Sequence, residues 1–278
     1  MAKTRAIAKR RTSIRNIRKI TRTMQSVATA RFQSAMRRAE RTFPYMEHFM
    51  EVVERLASAR SIEHPLLEVH ETSERVALIV LTSNRGMCGA YNTTVLREAE
   101  AQIEMSEQAD QEVELIVSGR KGISHFEFQG RELATGLTVF EHKPQFVEVE
   151  PIAVAVMDAY TRRHVDAVYV TYTHFESASR QKVETIRLLP VEPALFAGEA
   201  SAGSKASDLE SVYEIKPSVS ELMADLLPQW VKLKLFQCFL HAAMSEQVAR
   251  MIAMKSATES AAGMDRTLTQ QYNRAKRS

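Results

Sequence analysis

Three patterns of apolar and polar positions follow one another along the chain, and each predicts a different kind of element. From Ala6 to Ser58, apolar or small residues recur at Ile7, Ile14, Ile17, Met24, Val27, Ala28, Ala35, Met36 and Ala39. Steps of mostly three, four or seven keep these side chains on one narrow stripe of a long helix. Arg11, Arg15, Arg18, Lys19, Arg22 and Arg31 stand between them. Pro44 is expected to kink or interrupt this helix, because it lacks a backbone donor and crowds the preceding turn. At 1.5 Å per residue the segment reaches roughly 75 Å, longer than an ordinary domain is wide. The last segment repeats the theme. A stripe of Leu222, Leu226, Trp230, Leu233, Leu240, Met244, Val248 and Met251 follows Ser218, which opens a capping box with Glu221 just after Pro217. Pro228 is expected to bend this second helix. Two such helices, one at each end, bury their stripes most simply against each other as an antiparallel coiled coil.

Between them the period changes. Residues 75–82 (RVALIVLT), 112–118 (EVELIVS) and 166–173 (DAVYVTYT) are short runs rich in β-branched residues, as in buried parallel strands. Helical stretches over 93–108 and 145–163 separate them, so the middle predicts a small Rossmann-like α/β domain with a mostly parallel sheet. Residues 197–209 are small and polar and read as a flexible loop. The expected organisation is an N-terminal coiled-coil helix over 1–60, an α/β domain over 70–195, a loop over 196–215 and a C-terminal coiled-coil helix over 216–278.

Composition alters this picture in two places. Nine glycines and eight prolines are few for the length, which favours long regular elements. Net charge is only +3, but residues 1–41 hold 13 Lys or Arg against the single acid Glu40; that stretch carries +12 and the remainder −9. An Arg-rich, acid-poor start resembles a transit peptide. The helical pattern runs through it without a break, so it is read as part of the first helix. A basic coil also fits nucleic-acid binding, the alternative function in a different class. Cys88 and Cys238 lie far apart, and with no signal peptide a reducing compartment is expected. No stretch approaches the roughly 18 apolar residues of a membrane-spanning helix.

Enzyme signatures fail. The chain has neither a G-x-x-x-x-G-K-[ST] loop nor a G-x-G-x-x-G fingerprint, and the nearest match, residues 118–122 (SGRKG), reads as a tight strand-to-helix turn. The histidines are scattered without a metal-ligand spacing, and no nucleophile elbow is present. No catalytic residue, metal site or cofactor is expected. Two other segments stand out. Residues 82–92 (TSNRGMCGAYN) form a turn in which Gly86 and Gly89 permit sharp bends and Asn92 is placed to cap the next helix. Residues 245–258 (SEQVARMIAMKSAT) mix small residues, methionines and isolated charges on a helix, a surface suited to close helix approach.

At these residues the sequence resembles the gamma subunit of F-type ATP synthases. Residues 14–31 (IRNIRKITRTMQSVATAR) resemble that family's N-terminal helix, S-V-x-N-T-x-K-I-T-x-A-M-x-x-V-A-A-x-K. Residues 83–92 (SNRGMCGAYN) resemble its S-D-R-G-L-C-G-x-x-N turn, and residues 245–258 its S-E-x-x-A-R-M-x-A-M-x-x-A-T helix. The resemblance implies an antiparallel coil carrying an α/β domain on its lower part. It also implies a non-catalytic rotor shaft inside a ring of alpha and beta subunits, joined below to the epsilon subunit and the c-ring. That assembly is expected on the cytoplasmic face of a bacterial inner membrane, with no nucleic acid. By the same resemblance Arg10, Arg18, Met24, Arg31, Glu246, Arg250 and Lys276 are expected to meet the ring, and Arg85, Gly86, Cys88, Gly89 and Asn92 to build the turn. Asn84 replaces the family's usual Asp, Tyr91 its Phe and Arg31 its Lys. The last residues, 272–278 (YNRAKRS), put Lys276 in an Arg position and suggest a shortened tip. The 197–209 loop has no cysteine, so the dithiol switch of chloroplast members is not expected.

Overall fold

The computed structural model describes residues 2–58, 64–70, 73–140, 143–191 and 219–277. The expected loop, Pro217 and Ser218 lie outside the described residues. In chain order the elements are α1 (Ala2–Ser58), β1 (Arg75–Leu81), α2 (Tyr91–Gln108), β2 (Glu112–Ser118) and α3 (Arg120–Phe128). They continue with β3 (Thr135–Leu137), α4 (Phe146–Thr161), β4 (Ala167–Phe175), β5 (Gln181–Leu189) and α5 (Val219–Arg277). The short α3 and β3 and the edge strand β5 carry too little periodicity to stand out in the sequence.

At 1.5 Å per residue α1 and α5 are each about 85 to 90 Å long, and they pack against each other as an antiparallel pair. The direction is fixed by three cross-contacts. The guanidinium of Arg11 lies 4.7 Å from the ring centre of Tyr272. Arg15 Nε donates to Asp265 Oδ1 at 2.9 Å, and Thr258 Oγ1 donates to Thr21 Oγ1 at 2.8 Å. The seam keeps a seven-residue spacing: Thr21, Ala28 and Ala35 on α1, and Leu240, Gln247, Met254, Ala261 and Leu268 on α5 are all buried. A strict seven-residue repeat implies a left-handed supercoil.

The seam is narrower than the stripe read from sequence. Ile17 and Val27, expected on it, are 47% and 46% exposed, whereas Thr21 and Gln247 take seam positions despite their polarity. With a single partner helix at this level, only one row of α1 is covered. The lower half of α5 departs in the other direction. Met223, Leu227, Val231 and Leu235 are buried along with the expected Trp230 and Leu240, while Leu222, Leu226 and Leu233 are only half-buried. Here α1, α4 and β4 enclose α5 from several sides, and a helix buried all round has no single stripe. Pro44 does not interrupt α1, nor Pro228 α5; both lie inside continuous helix.

The sheet has the order β3-β2-β1-β4-β5, parallel except for the antiparallel β4–β5 pair. β1 pairs with β2 over Arg75–Leu81 against Glu112–Ser118, and with β4 on its other side. α2 and α3 cover one face through Val95, Ala99, Ile103 and Phe126. α4 and the lower coil cover the other, with Tyr160, Met46, Leu227 and Leu235 in one continuous core. The chain therefore winds one way from β1 through β2 to β3 and then returns to β4 on the opposite side of β1. The C-terminal ends of β1 and β4 flank this reversal, where open α/β sheets leave a crevice.

Candidate functional site

In this molecule the crevice is occupied by the chain's own helix α5. Ser245 Oγ donates to the carbonyl of Thr173 near the end of β4 at 3.2 Å. The Phe175 N–H donates to His241 Nδ1 at 3.3 Å. From the β1 side, Tyr91 Oη donates to the carbonyl of Ala242 at 3.3 Å. Burial pushes the Tyr91 phenol well above its usual pKa, reinforced by the nearby Glu246, so it remains a donor. Positions that hold a ligand in many α/β proteins here hold backbone and side chains of the coil.

The turn after β1 is the centre of this joint. Asn92 accepts from the Ser83 N–H at 2.9 Å and donates through Nδ2 to Ser83 Oγ, also at 2.9 Å. Ser83 Oγ donates in turn to the Arg85 carbonyl at 2.7 Å, and Cys88 is buried beneath the loop. Asn92 thus ties the turn to itself and does not cap α2, whose N-cap Ala90 makes no side-chain cap. Gly89 takes a left-handed backbone (φ 58°), and a Cβ there would lie 3.9 Å from Ala253 Cβ of α5. Asn84 reaches across to its neighbours: its amide donates to the carbonyls of Thr138 and Phe140 at 3.0 and 2.8 Å, and its oxygen accepts from the Arg120 N–H. An Asp at this position has no proton to give those two carbonyls.

Arg250 locks the turn onto α5. It is 6% exposed, and its Nη1 lies 2.7 Å from Glu246 Oε1 one helical turn back. Its Nη2 donates to the Arg85 carbonyl at 3.0 Å and to the Gly86 carbonyl at 3.5 Å. Burial raises the pKa of Glu246, while Arg250 and then Arg31 pull it back. Beside them Gln247 Oε1 is buried without a hydrogen-bond partner and borders a cavity of about 20 Å³ lined by Arg31, Asn84 and Arg85. That space is large enough for a single water.

Of the residues expected to meet partners, Arg10, Arg18 and Lys276 are exposed on the coil beyond the α/β domain, and Met24 and Arg31 are half-buried. Met24, Arg31, Arg85, Gly86 and Arg250 share the walls of a groove of about 180 Å³ between α1, the turn and α5. Glu246 and Arg250 point into their own chain. The contributions of Tyr91, His241 and Asn84 to the joint were not legible as separate signals, because each depends on a carbonyl or amide more than 30 residues away. The SGRKG segment is a tight turn. The Arg120, Lys121 and Gly122 amides donate to Asn84 Oδ1, the Ser83 carbonyl and Thr82 Oγ1, leaving no cradle for a phosphate. Among the described residues no group of His, Cys, Asp and Glu is placed to hold a metal ion.

Comparison with known proteins matches this geometry to one family. A family model described as ATP synthase matches residues 3–278. The chain is 43% identical to the ATP synthase gamma chain of Rhodopirellula baltica, covering 100% of this chain and 94% of that protein. It is 36% identical to the ATP synthase gamma chain of Leptospira biflexa, over 99% and 93% of the two chains. A chain of the Euglena gracilis mitochondrial ATP synthase rotor shares the fold, with TM-score 0.66, 17% identity and coverage of 99% and 98%. A chain of the Tetrahymena thermophila mitochondrial central stalk and c-ring does so with TM-score 0.63, 20% identity and coverage of 86% and 99%.

Proposed function

Since the chain belongs to the ATP synthase gamma-chain family, as a central-stalk subunit and not a catalytic one, we propose that it is the shaft coupling ion-driven rotation of a membrane c-ring to the catalytic beta subunits. The observation that carries this reading is the upper coil. Beyond Ala253, which still faces Gly89 of the turn, the contacts of α5 among the described residues are with α1, such as Thr258 with Thr21 and Asp265 with Arg15. The helix from there to Arg277 projects about 36 Å beyond the domain. A stiff rod with unequal faces stabilises a different conformation in each partner it meets, and turning it moves those partners through their states in sequence.

The faces are unequal here. Ile17, Ile20 and Val27 form an exposed apolar row beside the half-buried Met24, and Arg10 and Arg18 stand exposed on the same helix. We assign Arg10, Arg18, Met24 and Lys276 to contacts with the alpha and beta subunits, with Arg31 at the rim of that surface. The lower coil and α/β domain are assigned to the epsilon subunit and the c-ring. Among the described residues no helix is long and apolar enough to cross a membrane. The proposed place is therefore peripheral, on the cytoplasmic face of a bacterial inner membrane, held there through the complex. Arg11 and Arg15 are engaged within the coil by Tyr272 and Asp265, and family membership leaves the nucleic-acid reading without support.

The test is reconstitution with alpha and beta subunits of the same organism, following a bead fixed at Phe128→Cys. Phe128 is 92% exposed, whereas the native Cys88 is buried and a poor attachment point. Stepwise rotation driven by ATP is the expected outcome. Failure to assemble, together with tight and salt-sensitive DNA binding, overturns the reading.

A further inference from the structure

We propose that Arg250 is a positioning residue acting inside the chain: it clamps the 83–92 turn to α5, so that the upper rim of the α/β domain follows the coil. This rests on the shaft reading above. The lower coil shares a continuous core with the sheet and turns with it, whereas the 83–92 turn lies outside that core. The crevice contacts fasten this upper part, and they fall into two groups. Ser245, His241 and Ala242 hold the ends of β4 and α2 to the middle of α5. Arg250 brings a charge to the turn two helical turns beyond Ala242, and so gives the attachment a lever arm along the coil.

The chemistry suits a clamp. A guanidinium presents donors in a rigid fork, so Arg250 engages Glu246 with one nitrogen and the Arg85 and Gly86 carbonyls with the other. Glu246 fixes the fork's orientation and neutralises it in a nearly dry place. Burial of both groups makes either one alone costly, which ties the turn's position to an intact pair. The same geometry explains why these two residues, expected from the family resemblance to face the surrounding ring, present so little surface to it.

The two cysteines supply the test. Cys88 lies under the turn and Cys238 in the core of α5, and both are buried free thiols. In the isolated full chain, Arg250→Ala is expected to raise the rate of Cys88 labelling by a thiol reagent about tenfold or more, with Cys238 still protected, since it removes the charge-assisted hydrogen bonds to the Arg85 and Gly86 carbonyls. Arg250→Lys, which offers a point charge in place of the fork, is expected to restore only part of the protection. Should Cys238 also become reactive, the Ala variant has unfolded, and Glu246→Gln with Arg250→Lys then decide: faster Cys88 labelling in either supports the clamp. In the reconstituted complex, a bead at Phe128→Cys is expected to show a wider angular spread at each dwell when Arg250 is Ala, with stepping retained. Unchanged Cys88 protection across all variants overturns the clamp, and a loss of rotation accompanying it moves Arg250 to the ring surface. Absence of rotation with the unmodified chain counts against the shaft reading alone, because the labelling result stands without it.

Discussion

His241 shows how one side chain joins three elements. Its ring stacks on His174 of β4 at 4.2 Å between centroids and on Phe43 of α1 at 4.9 Å, while its Nδ1 accepts the Phe175 N–H. Burial, together with the charges of His174 and Lys234, depresses its pKa from 6.5 to about 3. Tyr172 of β4 also faces it, at 6.3 Å. The folded chain therefore holds His241 neutral where the unfolded chain protonates it. Its contribution to stability is whole above about pH 6.5 and drains away as pH falls towards 3. At pH 5 this one group is expected to cost about 2 kcal/mol relative to pH 8. His241→Asn keeps an acceptor near Nδ1 but cannot titrate, so its urea midpoint, read from the single tryptophan Trp230, should fall less between those two pH values. Equal slopes for the two proteins would mean the stack is not the acid-sensitive element.

At the scale of the element, the turn from β2 into α3 depends on glycine for a steric reason that sequence pattern does not reveal. Gly119 has φ 101°, and a Cβ built on it would lie 2.3 Å from the Thr82 carbonyl oxygen. Gly86, in the better-recognised motif, has only the flexible end of Lys121 within 3.6 Å. Gly119→Ala is expected to destabilise the chain by about 3 kcal/mol, combining backbone strain with overpacking. Gly86→Ala should change stability by no more than about 0.5 kcal/mol. Thermal melts of the two variants check this, and the reverse ranking would contradict the close packing of β1 against the α3 start. The coil behaves likewise as an element: its seam follows the seven-residue spacing, and Thr21 and Gln247 sit in it because spacing outweighs polarity where Thr21 bonds to Arg18 and Thr258 and the Gln247 amide to Glu246.

The whole molecule divides into a well-buttressed lower body and a two-helix projection. Below, α5 is enclosed by α1, α4 and β4; above, it has one neighbour, and its seam holds Thr258, Ala261 and Leu268 in place of the aromatic and Leu-rich packing around Trp230, Phe236 and Phe239. Local opening is easier where fewer apolar contacts must be broken. In the isolated chain, amides of 252–277 should therefore exchange with solvent much faster than those of 230–248. Assembly with alpha and beta subunits should slow the upper set selectively, which hydrogen exchange measured by mass spectrometry resolves residue range by residue range. Uniform protection along α5 in the free chain would show that the projection is stiff on its own.

Much of this was legible along the chain because it rests on local periodicity. The two long helices, the three central strands and their parallel arrangement follow from spacing that every residue in the segment shares, and the turn and α5 motif carried the family resemblance. Elements as short as α3 and β3, and the antiparallel edge β5, gave no such signal. The roles of Glu246 and Arg250 were not readable from their spacing either. A buried salt-bridged pair and an exposed one look alike at four residues apart on a helix, and only the position of the Arg85 and Gly86 carbonyls, some 160 residues earlier, turned this pair inward. The same holds for the crevice: the sequence determined that a mostly parallel α/β sheet would form, but the strand order that reverses at β1 and the packing of α5 across its open edge, driven by burial of the apolar residues on both, were decided by the tertiary structure.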